Sequence, residues 1–213
     1  MFFPGQKYYS LGDSLTARHG QARENSPGGD KLVGYQEALV GRWGLALTNH
    51  GVGGETVVQG GPRLLKLDYR DVALVTIAYG VNDARTGVPL GALGAGADAK
   101  HDGSTFYGAY RALLDKIYDD NPECRVLLLT PLQRLRVNAF GIDDRNANGD
   151  SLQDFADAVL AIGALYATRV CDMYRWSGVN QRNLQYYTVD GVHPNNRGYA
   201  RMAAAVLAEA EKL

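Results

Sequence analysis

The sequence predicts an α/β fold with a five-stranded, mostly parallel sheet, and three observations predict it. Short apolar runs alternate along the chain with stretches of helical period. Two of those runs, 72–78 and 125–130, are almost uninterrupted, as strands covered on both faces are. Clusters of Gly, Asp, Asn and His follow the runs, where an open α/β sheet places its binding loops.

Taken in order, the strands are Tyr8-Tyr9-Ser10-Leu11, Leu45-Ala46-Leu47-Thr48, Val72 to Ala78, Arg125 to Thr130, and Arg169-Val170-Cys171-Asp172-Met173. Between them run amphipathic stretches. Leu32, Tyr35, Leu39, Val40 and Trp43 form one apolar stripe, and Phe106, Tyr110, Leu113, Leu114 and Ile117 a second. Leu152, Phe155, Ala156, Val159 and Leu160 form a third, and Tyr199, Met202, Ala203, Val206 and Leu207 a fourth. Ser104 is the expected N-cap of the second helix, and Pro194 is expected in the first turn of the last. Strands followed by helices imply right-handed crossovers. No repeat or linker divides the chain, so one domain over residues 1–213 is expected. Segments 85–103 and 131–150 fit no element and are expected as long loops rimming a site, together with Gly28 and Gly29.

Composition narrows the function classes. The chain has 213 residues, with 22 Lys+Arg against 23 Asp+Glu and a net charge of −1. That balance speaks against nucleic acid or an anionic membrane surface as the main partner. No basic-then-apolar leader precedes residue 8, which makes a cytoplasmic location the expectation. No membrane span is expected either, since no stretch approaches the roughly 18 uncharged apolar residues it needs. Cys124 and Cys171 have no metal-ligand spacing and read as free, buried thiols. Glycine is the outlier, at 26 residues. Six glycines (12, 51, 53, 54, 80 and 191) fall in four motif-like clusters, and five more crowd segment 85–103.

Those clusters are Gly12-Asp13-Ser14-Leu15-Thr16, Asn49 to Thr56, Gly80-Val81-Asn82-Asp83, and Asp190-Gly191-Val192-His193-Pro194. In a parallel sheet, strand ends of one polarity share an edge, so clusters far apart in sequence can converge. A serine hydroxyl becomes a nucleophile when a base removes its proton, and histidine is poised for that at neutral pH. A carboxylate on the far ring nitrogen fixes the tautomer, and Asp190 lies three residues before His193. The oxyanion formed on acyl attack needs donors, and the Ser14 N–H, a Gly54 N–H and the Asn82 amide can supply them. Each residue also has a structural reading. Ser14 and His193 can cap helices, Asp190 can form a turn, and Asn82 can bond its own loop. Asp13 and Asp83 read as acceptors of loop N–H groups, and His19, His50 and His101 as surface or loop residues.

These four clusters, in this order, resemble the SGNH hydrolases, also called the GDSL esterase/lipase family. The resemblance spans Gly12 to Pro194 and implies a flavodoxin-like three-layer α/β/α fold and ester hydrolysis with no cofactor or metal. It implies Ser14 as nucleophile, His193 as base, Asp190 as its orienting acid, and Gly54 with Asn82 in the oxyanion hole. Gly53 is the neighbouring candidate for that glycine. The long inserts at 85–103 and 131–150 depart from compact relatives and bear on the substrate.

For the substrate, no long apolar lid is evident, which favours short acyl groups such as acetyl on a carbohydrate or similar small ester. Trp176 to Tyr187 reads either as a sugar-stacking stretch or as core. Arg134 and Arg136 read as solvated loop charges, with contact to an anionic substrate group as the alternative. A thioesterase or lysophospholipase on the same triad is the rival within catalysis. A non-catalytic carbohydrate-binding module that keeps the fold is the rival outside it. Nothing in the sequence speaks to oligomeric state.

Overall fold

The computed structural model describes residues 2–21, 31–94, 101–134 and 145–213. Its five strands are β1 (Lys7–Gly12), β2 (Ala46–Asn49), β3 (Val72–Ala78), β4 (Arg125–Leu129) and β5 (Arg169–Cys171). All pair in parallel, in the order β2-β1-β3-β4-β5. The expected strands are all present, with ends shifted by a residue or two.

Alternation along the strands divides the core into two layers. Val75, Ile77, Val126 and Leu128 point to one face, and Leu74, Leu127 and Leu129 to the other. The first face is covered by α3 (Val57–Leu64), α5 (Phe106–Asp120) and α6 (Leu152–Leu165), and the second by α2 (Gln36–Trp43) and α9 (Asn196–Ala210). All seven of those strand residues are at most 1% exposed, each contributing roughly 1.5–3 kcal/mol of burial. This is the three-layer α/β/α arrangement. Short helices α1 (Ser14–Ala17), α4 (Val81–Thr86), α7 (Met173–Trp176) and α8 (Leu184–Tyr187) are the other helices among the described residues. No helix among the described residues is long and apolar enough to cross a membrane.

Several expectations need correction. Helix α3 is absent from the sequence reading because Gly60, Gly61 and Pro62 are poor helix formers. It forms because a Thr56/Gln59 capping box satisfies its first turn and Val57 and Leu64 bury in the core cluster shared with α5 and β3. Helix α5 is capped by Thr105, whose hydroxyl accepts the Gly108 N–H, and not by Ser104. Ser104 is instead drawn back onto the Asp102 carboxylate through both its N–H and its hydroxyl. Helix α9 begins at Asn196 with Asn195 as cap, which leaves Pro194 outside the first turn, in an isolated bridge with Thr188. The first stripe enters its helix only at Gln36, yet Leu32 and Tyr35 are buried as expected. Segment 85–103 starts helical, since Arg85 and Thr86 close α4. Gly28, Gly29, Arg136, residues 95–100 and residues 135–144 lie outside the described residues. Cys124 and Cys171 are free and buried, and burial pushes both thiols up to about 12.

Two helical glycines separate local propensity from packing. Gly41 in α2 has open space where a Cβ would go, whereas a Cβ on Gly108 in α5 would sit 2.0 Å from the Asp102 carbonyl oxygen. Gly41→Ala is expected to stabilise by about 0.5–1 kcal/mol, the helix-propensity gain. Gly108→Ala is expected to destabilise despite the same gain. Thermal unfolding checks both: the melting temperature should rise by roughly 2–4 °C in the first and fall in the second. Equal shifts would show that packing at Gly108 does not matter.

Candidate active site

The strand order creates the site. From β1 the chain moves to β2 on one side and then crosses to β3 on the other, so the loops leaving β1 and β3 diverge and open a crevice between them. Gly12 pairs with Ala78 at the ends of these two strands, which sets Asp13-Ser14 beside Gly80-Val81-Asn82-Asp83. Close approach demands glycine here. A Cβ on Gly12 would lie 2.3 Å from Thr16 Oγ1 and 2.7 Å from the Ala78 carbonyl oxygen. The turn after β2 carries Gly54 in the left-handed region (φ +79°), conformational space that a side chain would strain.

Ser14 opens the one-turn helix α1, where Asp13 caps by accepting the Leu15 N–H at 2.9 Å. Its Oγ lies 3.0 Å from His193 Nε2 across 179 residues of sequence. His193 Nδ1 lies 2.6 Å from Asp190 Oδ2, and Asp190 Oδ1 accepts the backbone N–H of His193 (2.7 Å) and of Val192 (2.9 Å). Burial pushes the Asp190 carboxyl up, but the hydrogen bonds from the His193 backbone and ring and from Val192 outweigh it and hold it below the usual range. The loop is held by the Val189 N–H on the His193 carbonyl and the Gly191 N–H on Thr188 Oγ1.

Asn82 is buried, and its Nδ2 donates to the Glu55 carbonyl at 3.2 Å and, at a longer 3.4 Å, to Asp13 Oδ2. Asp13 adjoins Ser14 and Glu55 adjoins Gly54, so the Asn82 amide touches a residue next to each of Ser14 and Gly54. Among the described residues, no protein acceptor takes the Ser14 or the Gly54 N–H. Asp83 Oδ1 accepts the Val57 N–H at 2.9 Å, tying the β3 loop to the start of α3, while its Oδ2 is buried with no partner among the described residues. Asp13 and Asp83 therefore both accept loop N–H groups. Burial pushes each carboxyl up to about 7, aided for Asp13 by Glu55 and for Asp83 by Asp13.

The remaining candidates scatter. His19 accepts the Gly34 N–H at Nδ1. His50 packs edge-on against Tyr9, and burial followed by the nearby Arg63 lowers its pKa. His101 lies in a loop, as expected, where its ring, 11% exposed, pairs with Asp115 on α5. Arg134 is 4% exposed, so it is not a solvated loop charge. Trp176 and Tyr186 are 79% and 55% exposed, outside the core, and the Arg197 guanidinium lies 4.5 Å from the Tyr186 ring centre. A narrow apolar recess lies between the β1, β3 and β4 loops, lined by Leu15, Val81, Pro131, Leu132 and Met202 beside Asp13. Among the described residues, no group of three or more His, Cys, Asp or Glu side chains is arranged to hold a metal ion. The sequence reading missed the carboxylate of Glu55 and the hydroxyl of Tyr79, which bond each other beside these loops. Glu55 abuts a motif glycine, but no spacing links it to Tyr79.

Residues 10–201 match the model of the GDSL-like Lipase/Acylhydrolase family. No curated protein sequence matches the chain. Solved structures do. A protein from Lactobacillus plantarum is 26% identical with a TM-score of 0.80, over 100% of this chain and 98% of that one. A possible lipase from Chitinophaga pinensis is 25% identical with a TM-score of 0.79, over 97% and 98%. An acetyl xylan esterase from Geobacillus stearothermophilus is 21% identical with a TM-score of 0.64, over 98% and 95%, a likeness of fold.

The two raised carboxyls predict a pH dependence. A folded-state pKa near 7 against about 3.9 unfolded means that the folded chain holds protons that the unfolded chain releases. The resulting stability is complete below about pH 4 and is lost as pH rises through about 7. Asp83→Asn keeps an acceptor for the Val57 N–H and removes the charge. Relative to wild type it is expected to gain on the order of 2 kcal/mol between about pH 5 and pH 8. Denaturant unfolding at both pH values measures this, and a difference independent of pH would refute it.

Proposed function

The chain belongs to the GDSL-like lipase/acylhydrolase family and is a carboxylic ester hydrolase, and from that premise we propose a Ser14-His193-Asp190 triad that removes short acyl groups, acetyl foremost, from a carbohydrate or similar ester. The observation that carries the reading is the continuous chain from Ser14 Oγ through His193 to Asp190, at 3.0 Å and 2.6 Å.

In the first half-reaction, His193 Nε2 takes the Ser14 hydroxyl proton as Oγ attacks the acyl carbon. Asp190, kept ionised, accepts from Nδ1–H, fixing the tautomer with Nε2 free and stabilising the imidazolium that forms. Negative charge collects on the former carbonyl oxygen. The Ser14 and Gly54 N–H groups and the Asn82 amide stabilise it, each donor worth roughly a hundredfold to a thousandfold. For Asn82, the long contact to Asp13 is the weaker of two bonds and the one most readily exchanged for the oxyanion. The tetrahedral intermediate collapses, the C–O bond to the alcohol breaks, and His193 passes its proton to the departing oxygen. Water then attacks the acyl-enzyme with His193 again as base, releasing the acid and restoring Ser14.

Short acyl groups are favoured because the sequence carries no long apolar segment of the kind that lids a site for long acyl chains. The exposed rings of Tyr186 and Trp176, on the segment leading into the Asp190–His193 loop, suit a sugar. The fold likeness to an acetyl xylan esterase accords with that substrate class.

Turnover of a chromogenic acetyl ester is expected to fall by at least roughly a thousandfold in Ser14→Ala. An organophosphonate should add its mass to wild type and leave Ser14→Ala unlabelled. Turnover and labelling that survive the substitution would refute Ser14 as nucleophile. Across an acetyl-to-palmitoyl ester series, kcat/KM is expected to be highest at the short end; a maximum beyond octanoyl would overturn the short-acyl assignment.

A further inference from the structure

The proposed oxyanion donors sit on three loops from three strands, and donors on separate loops stabilise charge only while those loops hold register. A displacement of about 1 Å at such a site costs up to roughly a hundredfold in rate. Two of the loops meet at a half-buried cluster that joins Glu55, next to the motif glycine Gly54, to Tyr79 and Arg63, which lie outside the four motifs. Glu55 Oε2 accepts the Tyr79 hydroxyl at 2.7 Å and the Arg63 Nη2 at 2.8 Å. Arg63 donates from the same nitrogen to the His50 carbonyl at 3.1 Å, at the start of the turn that carries Gly54. Tyr79 is 1% exposed and directly precedes Gly80, and the Glu55 side chain is 11% exposed.

We propose that Glu55 is a positioning residue for the oxyanion hole, clamping the Gly54 turn to the Asn82 loop. This rests on the serine-hydrolase reading above. The grip is double. The Glu55 carboxylate holds the end of β3 through Tyr79, and the Glu55 carbonyl accepts the Asn82 amide at 3.2 Å. Glu55 therefore fixes where its neighbour Gly54 stands relative to Asn82, without touching a reacting atom.

Helix α3 is shaped around the same cluster. A Cβ on Gly60 would lie 2.7 Å from Glu55 Oε2 and 2.8 Å from the Tyr79 hydroxyl, so the helix tolerates a glycine there because these groups fill the space. Among the described residues, of the neighbouring acids Asp13, Asp83 and Glu55, Glu55 is the one that makes an ion pair, to Arg63. Charge-assisted bonds of this kind are stronger than neutral ones, which suits a clamp.

The test uses the full chain with Glu55→Ala, Glu55→Gln and Tyr79→Phe. End-point titration with an organophosphonate counts competent sites, so kcat can be expressed per titrated site. Glu55→Ala is expected to lose roughly tenfold or more in kcat per site with KM for the acetyl ester changed less than about threefold. Tyr79→Phe should lose several-fold, and Glu55→Gln, which keeps an acceptor, should recover much of the Glu55→Ala loss. Affinity for a short alkyl boronic acid, which places an oxygen in the hole, should fall in step with kcat/KM. Should Glu55→Ala fail to fold, the two near-isosteric variants carry the test alone. A clamp of purely structural importance would lower the melting temperature or the titrated fraction and leave kcat per site and boronate affinity within about twofold of wild type; that result overturns the proposal. Absence of Ser14 labelling in wild type is a different result, which removes the serine reading and this inference with it.

Discussion

The parallel pairing of β1 with β3 is the constraint on which the rest of the molecule depends. Gly12 opposite Ala78 puts two strand ends side by side, and the chain leaves them in opposite directions because β2 lies beyond β1 and β4 beyond β3. Ser14 and Asn82 lie two and four residues past those ends. The other parts of the proposed site come to this point: the Gly54 turn from β2, and the Asp190–His193 loop from the segment before α9. The space at Gly12 is so limited that the β1 turn, Thr16 and the Ala78 carbonyl pack with no side chain between them.

A second constraint is electrostatic. Asp13, Glu55 and Asp83 crowd behind loops that are proposed to stabilise an anion, and a buried carboxylate there works against it. The molecule contains this in two ways. Asp13 and Asp83 are buried deeply enough that their carboxyls rise to about 7, so charge is carried only in part near neutrality. Glu55 instead pairs with Arg63 and Tyr79. Asp190 lies on the opposite side of the balance, since three hydrogen bonds overcome its burial and keep it ionised against His193. Carboxylates of one kind thus take different charge states because their partners differ, not because their residue type does.

Much of this was legible along the chain. The apolar runs of β3 and β4 and the stripes of α5, α6 and α9 announce a covered parallel sheet, because burial on both faces removes polar residues from the run. The four polar clusters suggest the serine chemistry proposed above, because a Ser, an Asp-x-x-His and glycine turns are residue types that acyl transfer uses. Elements stabilised by their neighbours were not legible. Helix α3 forms on Gly60, Gly61 and Pro62 through a capping box and burial, against its own propensities. The cap of α5 passed from Ser104 to Thr105 because Asp102 competes for Ser104.

Residue types and periodicity, being local, were enough to specify the α/β class and the strand positions, and together with the family resemblance they nominate Ser14, Gly54, Asn82, Asp190 and His193 for the proposed site. Distances between segments are not local. That His193 Nε2 reaches Ser14 Oγ at 3.0 Å follows from strand order and from the packing of α9, whose Tyr199 hydroxyl bonds the Leu15 carbonyl. That Arg134 is buried, that His101 pairs with Asp115, and that Glu55 meets Tyr79 and Arg63 depends on which side chains folding brings to one place. No spacing encodes those meetings, because each joins segments whose separation in space is set by the sheet and its covering helices.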